Sequence, residues 1–137
     1  MKQFFNTHFL SVMLFAILSF ASVAHAADAV KEISVNEVKQ FVDSKAKNVA
    51  IIDANNENAR EDAGVVPSAI LLTSYNKYAL SELPADKNTT LVFYCYNSYC
   101  QASHAAAERA IEAGYKDARV MKAGIVGWNK LTNKAGV

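Results

Sequence analysis

The chain has 137 residues, 14 of them basic and 13 acidic, and a formal net charge of +1 at pH 7. This balance gives no electrostatic reason to expect nucleic acid or an anionic membrane surface as a partner. The length is enough for one domain with a single hydrophobic core and a preceding targeting segment, and too short for two domains.

The first residues have the pattern of a secretory signal peptide. Lys2 is the only formal charge before an apolar stretch from Phe9 to Ala21, and Ala24-His25-Ala26 provides the small residues that signal peptidase reads. We expect cleavage after Ala26, which leaves residues 27–137 as one domain in the periplasm, without membrane attachment. A retained anchor is the alternative, but the apolar stretch is shorter than the ~20 residues that span a bilayer.

Helical patterns occur at both ends and in the middle of the remaining chain. Ser34 and Glu37 form a capping-box pattern that predicts a helix over about 35–44. An alanine-rich segment over about 101–113, followed by Gly114, predicts a longer helix. Residues 55–60 predict a short helical turn, and a final amphipathic segment contains Ile125, Trp128 and Leu131.

Short runs rich in β-branched residues lie between these helices. They predict strands over about 48–53, 69–72, 89–94 and 118–121, the third of which ends at Cys95. Strands that alternate with helices predict an α/β fold, with a parallel sheet covered by helices on both faces.

Cys95 is the main candidate for a reactive residue. It stands at the carboxyl end of a predicted central strand, before a short loop and a helix, where open α/β sheets place their ligand sites. The backbone N–H groups of residues 96–101 and the start of the helix would favour a thiolate, or an anion such as a persulfide. A small buried cysteine without reactivity is the alternative.

Several motifs resemble the rhodanese-like domain family over about residues 33–130. They are Ile51-Ile52-Asp53, the segment from Gly64 to Ile70, Val92-Phe93-Tyr94-Cys95, Ala113-Gly114-Tyr115, and Ala123-Gly124-Ile125 with Trp128. The resemblance implies a rhodanese-like sheet of about five parallel strands flanked by helices on both faces. It also implies that Cys95 is the catalytic sulfur carrier and that Asp53 has a supporting role near the site. No cofactor is expected, because the sulfur is carried covalently.

The loop after Cys95 departs from the family's pattern. It reads Tyr96-Asn97-Ser98-Tyr99-Cys100-Gln101, without the glycine and the arginine that help to hold an anionic donor such as thiosulfate. Cys100 stands where the arginine is expected, which resembles a subgroup with paired cysteines. Three roles for Cys100 stay open: a resolving thiol that releases sulfide from a persulfide on Cys95, a partner in a resting or structural disulfide, or a non-reacting residue.

Other polar residues near this loop are weaker candidates. Ser103 and His104 begin the following helix, where local hydrogen bonding and an ordinary surface position are the simpler interpretations. Asp53 either orients loop amides or caps the next turn. Arg60 would supply the missing cation at the mouth of the site, or would simply pair with Glu57 or Asp62. Tyr96 and Tyr99 make the loop aromatic, which favours an apolar or aromatic thiol as partner.

Other cysteine chemistries fit this chain less well. A cysteine phosphatase requires an arginine six residues after the nucleophile, and that position is Gln101. A cysteine hydrolase requires a histidine base with its own partner, and His104 is the only histidine after Ala26. Cys95, Cys100 and His104 match no closed zinc pattern, so we expect no metal.

The sequence therefore predicts a sulfurtransferase that takes sulfur from a small donor and passes it to a thiol, for which a protein thiol is one candidate, or to another nucleophilic acceptor. A thiol–disulfide oxidoreductase that uses Cys95 and Cys100, and a non-catalytic binding module, are the alternatives. The sequence does not specify the donor, the acceptor or the oligomeric state.

Overall fold

The computed structural model describes residues 30–132, so the predicted signal peptide and its cleavage site at Ala26 lie outside the described residues. Helices and strands alternate along the described chain. Their bounds are β1 (Lys31–Glu32), α1 (Val35–Ser44), β2 (Val49–Asp53), α2 (Glu57–Ala63), β3 (Ile70–Leu71), a 3₁₀ turn (Leu80–Glu82), β4 (Thr90–Tyr94), α3 (Ala102–Glu112), β5 (Ala118–Val120) and α4 (Gly124–Leu131).

The five strands form one sheet in the order β1-β5-β4-β2-β3, and every neighbouring pair is parallel. The predicted α/β class and parallel sheet are confirmed. β4 is the central strand, and its residues from Leu91 to Tyr94 are buried, as expected for a strand covered on both faces. The sequence motifs did not predict β1, because two exposed charged residues carry no hydrophobic pattern.

Helices cover both faces of this sheet. α3 packs on one face, where its buried alanines, Ala106, Ala107 and Ala110, lie in the same apolar cluster as Phe93 and Cys95. The opposite face packs against α1 and α4, and its cluster includes the following side chains: Val38, Val92, Tyr94, Ile125 and Trp128. α2 lies against α4, where the Asn129 side chain donates a hydrogen bond to the Ala63 carbonyl at 2.8 Å.

The first helix begins as its sequence predicts. The Ser34 hydroxyl accepts a hydrogen bond from the Glu37 N–H at 3.3 Å, and the Glu37 carboxylate accepts one from the Ser34 N–H at 3.1 Å. α1 ends at Ser44, and Lys45 follows in the left-handed conformation. Within residues 30–132, no helix combines the length and the apolar character that crossing a membrane requires.

Candidate functional site

The start of α4 fixes the beginning of the loop that follows β4. The carbonyl of Cys95 accepts a hydrogen bond from the Ile125 N–H at 2.9 Å, and the carbonyl of Tyr96 accepts one from the Val126 N–H at 3.0 Å. Gly124 makes this approach possible. Its φ is +63°, and a Cβ there would lie 2.5 Å from the Tyr96 oxygen and 2.7 Å from the Cys95 oxygen. Sequence reasoning recognised Gly124 only as a turn residue and a family motif.

The two cysteines of the loop form a disulfide. The Cα atoms of Cys95 and Cys100 are 6.3 Å apart. The Cys95 side chain is almost fully buried at 1% exposure, whereas Cys100 is partly exposed. This pairing corresponds to the resting or structural disulfide, one of the three roles left open for Cys100.

Ser103 lies next to the sulfur of Cys95. Its hydroxyl oxygen is 3.3 Å from the Cys95 sulfur, and the residue is 2% exposed. Ser103 is the second residue of α3, so the sulfur also faces the first turn of a helix. The N-cap residue of α3, Gln101, makes no side-chain cap, and the first turn has no acidic residue, so the positive end of α3 is not neutralised by its own side chains.

The amides that the sequence predicted as an anion cradle divide into two groups. The N–H of Cys100 donates to the Asn97 carbonyl at 3.1 Å, and the N–H of Tyr99 donates to the Asn97 side chain at 3.1 Å. Elsewhere in the loop, the N–H groups of Tyr96, Asn97, Ser98 and Gln101 have no hydrogen-bond partner among the described residues. The loop therefore uses two of its amides to hold its own shape.

The two tyrosines of the loop are placed differently. The Tyr96 hydroxyl donates a 2.6 Å hydrogen bond to the Asp62 carboxylate of α2, and this bond raises the pKa of Tyr96 above its ordinary value. Tyr99 is 88% exposed, so its ring points into solvent and does not pack in the core around the disulfide.

Asp53 and Tyr94 form a buried polar pair next to the loop. They are register partners at the ends of β2 and β4, and both are fully buried. The Tyr94 hydroxyl donates to Asp53 at 2.6 Å and accepts from the Val66 N–H at 3.0 Å. Burial, and then the bond to Asp53, raises the pKa of Tyr94 well above its usual value. The other carboxylate oxygen of Asp53 accepts from the Asn55 N–H at 2.7 Å.

Asp53 therefore caps the turn that follows β2, the simpler of its two expected roles. It closes a local turn at Asn55, while the cap of α2 is Asn56, whose side chain accepts from the Ala59 N–H. No hydrogen bond joins Asp53 to the N–H groups of residues 96–101 in the described chain. Sequence reasoning placed Tyr94 in the third predicted strand and assigned no role to its hydroxyl.

Arg60 holds the ends of two strands. Its guanidinium donates to the carbonyls of Leu72 at 2.9 Å and Asp53 at 3.2 Å, and its Nε lies 3.5 Å from the Asp53 carboxylate. The simpler sequence expectation, an ion pair with Glu57 or Asp62, is wrong. The reason is that Asp53 is buried and Arg60 is its only ion-pair partner among residues 30–132, so this arginine compensates the carboxylate charge.

A small cleft opens on the outer side of the disulfide. It has a volume of about 130 Å³ and is lined by Cys100, Ser103, His104, Ser98, Gln101 and Lys122 among others. His104 is on the helix surface, 3.7 Å from Glu108. No three His, Cys, Asp or Glu side chains of the described residues are grouped to hold a metal ion.

The fold and the site together define a parallel α/β domain with a cysteine at the carboxyl tip of its central strand. A family model for the rhodanese-like domain matches residues 34–131. The chain therefore belongs to the rhodanese-like domain family, as its motifs predicted. No curated protein matches the chain by sequence.

Solved structures with the same fold come from distant organisms. The human single-domain sulfurtransferase TSTD1 is 18% identical with a TM-score of 0.57, and the match covers 74% of this chain and 96% of that protein. The BH2092 protein of Bacillus halodurans is 18% identical with a TM-score of 0.65, over 74% of this chain and 73% of that one. A protein of unknown function from Rhodopseudomonas palustris, described as a possible tyrosine phosphatase, is 19% identical with a TM-score of 0.62, over 75% and 82%. At these identities the likeness shows the fold alone.

Proposed function

We propose that this protein is a rhodanese-type sulfurtransferase of the periplasm, in which Cys95 carries sulfane sulfur as a persulfide. The observation that carries the proposal is the position of the Cys95 sulfur, at the tip of β4, beside the uncapped start of α3 and 3.3 Å from the Ser103 hydroxyl. A helix start and a hydroxyl donor both stabilise negative charge on sulfur.

The proposed reaction moves one sulfur atom in two displacements. The Cys95 thiolate attacks the outer sulfur of a protonated donor persulfide, the donor leaves as a thiolate, and the outer sulfur with its proton stays on Cys95 as a persulfide. An acceptor thiolate then attacks the outer sulfur of that persulfide and the Cys95 thiolate leaves. No net oxidation occurs, and no cofactor takes part.

Cys100 offers a second fate for the bound sulfur. Its thiolate would attack the inner sulfur of the persulfide, at Cys95, and expel the outer sulfur as hydrosulfide while the disulfide closes. The disulfide between the two residues supports this branch. A thiol must then reduce the disulfide before Cys95 accepts sulfur again.

The donor is proposed to be a persulfide of a thiol compound rather than thiosulfate. The loop contains no cation. Arg60, the candidate for the missing cation, donates instead to the carbonyls of Asp53 and Leu72 at the ends of two strands. Thiosulfate carries two negative charges for which the loop itself provides no cation, whereas a protonated persulfide group carries no charge on the sulfur that Cys95 attacks. Sulfur uptake should therefore be faster from a persulfide.

Intact mass measurement tests the proposal. The reduced protein and its Cys100→Ser variant are incubated separately with thiosulfate and with a low-molecular-weight persulfide. We expect Cys100→Ser to gain one sulfur atom from the persulfide and keep it, because no resolving thiol remains. The wild type should instead release sulfide and form the disulfide. Cys95→Ser is the control and should gain no sulfur. Failure of Cys100→Ser to take up sulfur from either donor would disprove transfer by Cys95.

A thiol–disulfide oxidoreductase is the second candidate, and the disulfide itself favours it. This function needs no sulfane sulfur. It would be supported if no sulfur adduct forms and if the cysteine pair equilibrates reversibly with a dithiol buffer of known potential.

A further inference from the structure

The two sulfur atoms of the disulfide differ in their access to solvent. Cys95 is 1% exposed and belongs to the apolar cluster beneath α3, together with Phe93 and Ala106. Cys100 is partly exposed and only borders that cluster. An incoming nucleophile therefore reaches the Cys100 sulfur more easily than the Cys95 sulfur.

The small cleft beside the loop leads to only one of them. Cys100 and Ser103 line it, and Cys95 does not. Thiol–disulfide exchange requires the attacking thiolate to reach a sulfur directly, so access decides which sulfur is attacked. From this cleft the accessible sulfur is that of Cys100.

The surroundings of Cys95 suit it as the leaving group. When the disulfide breaks at Cys100, the electron pair stays on the Cys95 sulfur as a thiolate. The Ser103 hydroxyl, 3.3 Å away, is placed to donate a hydrogen bond to that thiolate, and the uncapped first turn of α3 faces it. Among the described hydrogen bonds, none joins the Cys100 sulfur to a donor.

We propose that the cleft bounded by Cys100, Ser98, Gln101 and Lys122 is the entry site for a reducing cysteinyl thiol, which attacks Cys100 and releases Cys95. In the first step a thiolate forms a mixed disulfide with Cys100 while the bond to Cys95 breaks. A second thiol then attacks the outer sulfur of the mixed disulfide and frees Cys100. Two thiols are oxidised to one disulfide, and the protein disulfide is reduced to two thiols.

The size of the cleft limits the entering group. Its volume of about 130 Å³ is smaller than the roughly 300–1,000 Å³ of pockets that enclose whole ligands. It therefore admits one cysteinyl side chain and leaves the rest of the thiol compound outside. Lys122 and Glu32 both line the cleft, with the Lys122 Nζ 3.4 Å from the Glu32 carboxylate, so a cation and an anion lie together there and the cleft does not select strongly for anions.

This inference rests on the proposed function only because reduced Cys95 is the form that accepts sulfur. The attack on the disulfide is measured without any sulfur donor. The two proposals can therefore fail separately.

Trapping of the mixed disulfide tests the inference, with glutathione as the probe thiol. The oxidised full chain is exposed briefly to glutathione and quenched in acid, and free thiols are then blocked with a maleimide. Cleavage after Tyr96 and Tyr99 places the two cysteines in different peptides for mass spectrometry. We expect glutathione on Cys100 and maleimide on Cys95. Glutathione on Cys95, or equally on both, would overturn the assignment.

Two serine variants test the leaving-group argument independently. Ser103→Ala removes the hydroxyl beside Cys95, and we expect reduction by glutathione to slow by about tenfold, as for a lost hydrogen bond to a charged group. Ser81→Ala is the matched control, because Ser81 is exposed in the 3₁₀ turn, lies outside the cleft and has no contact to Cys95 among the described hydrogen bonds. Equal rates in both variants would contradict a role for Ser103.

Discussion

At the scale of single residues, the hydroxyl of Tyr94 connects three segments of the chain. It donates to Asp53 on β2 and accepts from Val66, which precedes β3, while Tyr94 itself ends β4 one residue before Cys95. These groups are fully buried, so water does not replace a lost partner. The Tyr94 hydroxyl therefore holds the carboxyl end of β4 against β2 and against the segment before β3.

Tyr94→Phe should destabilise the protein more than another buried tyrosine-to-phenylalanine change. It leaves a carboxylate oxygen and a backbone N–H without partners, at about 1–3 kcal/mol for each group. Tyr78→Phe is the matched control, because that hydroxyl is equally buried and makes a single bond, to the Ala106 carbonyl. Urea denaturation of both variants measures the difference. Equal losses of unfolding free energy would show that the Tyr94 hydroxyl, with its two partners Asp53 and Val66, stabilises the fold no more than the Tyr78 hydroxyl does with one.

At the scale of elements, the contact between the Cys95 loop and the start of α4 depends on Gly124. Any side chain there meets the carbonyl oxygens of Cys95 and Tyr96, which are backbone atoms and cannot rotate away. The same two carbonyls accept the N–H groups of Ile125 and Val126. Loop and helix must therefore separate if a Cβ is added.

Gly124→Ala should reduce both stability and the proposed sulfur uptake. Gly114→Ala is the control, because Gly114 also has a positive φ, +95°, but a Cβ there meets no atom within 4 Å. The left-handed backbone alone costs about 1–2 kcal/mol in each variant. We expect Gly114→Ala to show only this loss, measured by denaturation, and to retain sulfur uptake by intact mass. If Gly124→Ala behaves in the same way, the close contact does not position the loop.

At the scale of the whole molecule, Asp117 joins strands at the end of the sheet where β4 and β5 begin, opposite to the end that carries the site. It accepts hydrogen bonds from Arg119 of β5 at 2.7 Å and from Thr90 of β4 at 2.9 Å, and Lys31 of β1 lies 3.9 Å away. The bond from Arg119 is the main reason that the pKa of Asp117 is lowered. A carboxylate with a lowered pKa in the folded state favours folding while it is ionised.

Asp117→Asn should therefore destabilise the protein at neutral pH but not in acid. The stabilisation by Asp117 is complete above the unfolded pKa of about 3.9, and is lost as the pH falls through the lower folded value. Thermal unfolding from pH 3 to pH 7 should show a difference between wild type and variant that shrinks below about pH 4. Glu61→Gln, on exposed α2, is the control and should change little. A constant difference across this range would contradict the assignment.

Local patterns account for most of the helices and strands. The capping box predicted the first residue of α1, because each of the two side chains, Ser34 and Glu37, accepts a hydrogen bond from the other's backbone N–H. β2 and β4 were predicted within one residue of their observed bounds, since buried parallel strands are continuous apolar runs. β1 could not be predicted in this way, because only its pairing with β5 makes it a strand.

The sequence alone determined the family, the position of Cys95 after a central strand and the proximity of Cys100, because these follow from short-range patterns and ordered motifs. Only the tertiary structure decided which polar groups meet across the sheet. Tyr94 lies 41 residues from Asp53 in the chain, and Gly124 meets a loop that precedes it by a whole helix and strand. Such contacts depend on strand order and on the close approach of backbones, which local spacing does not encode.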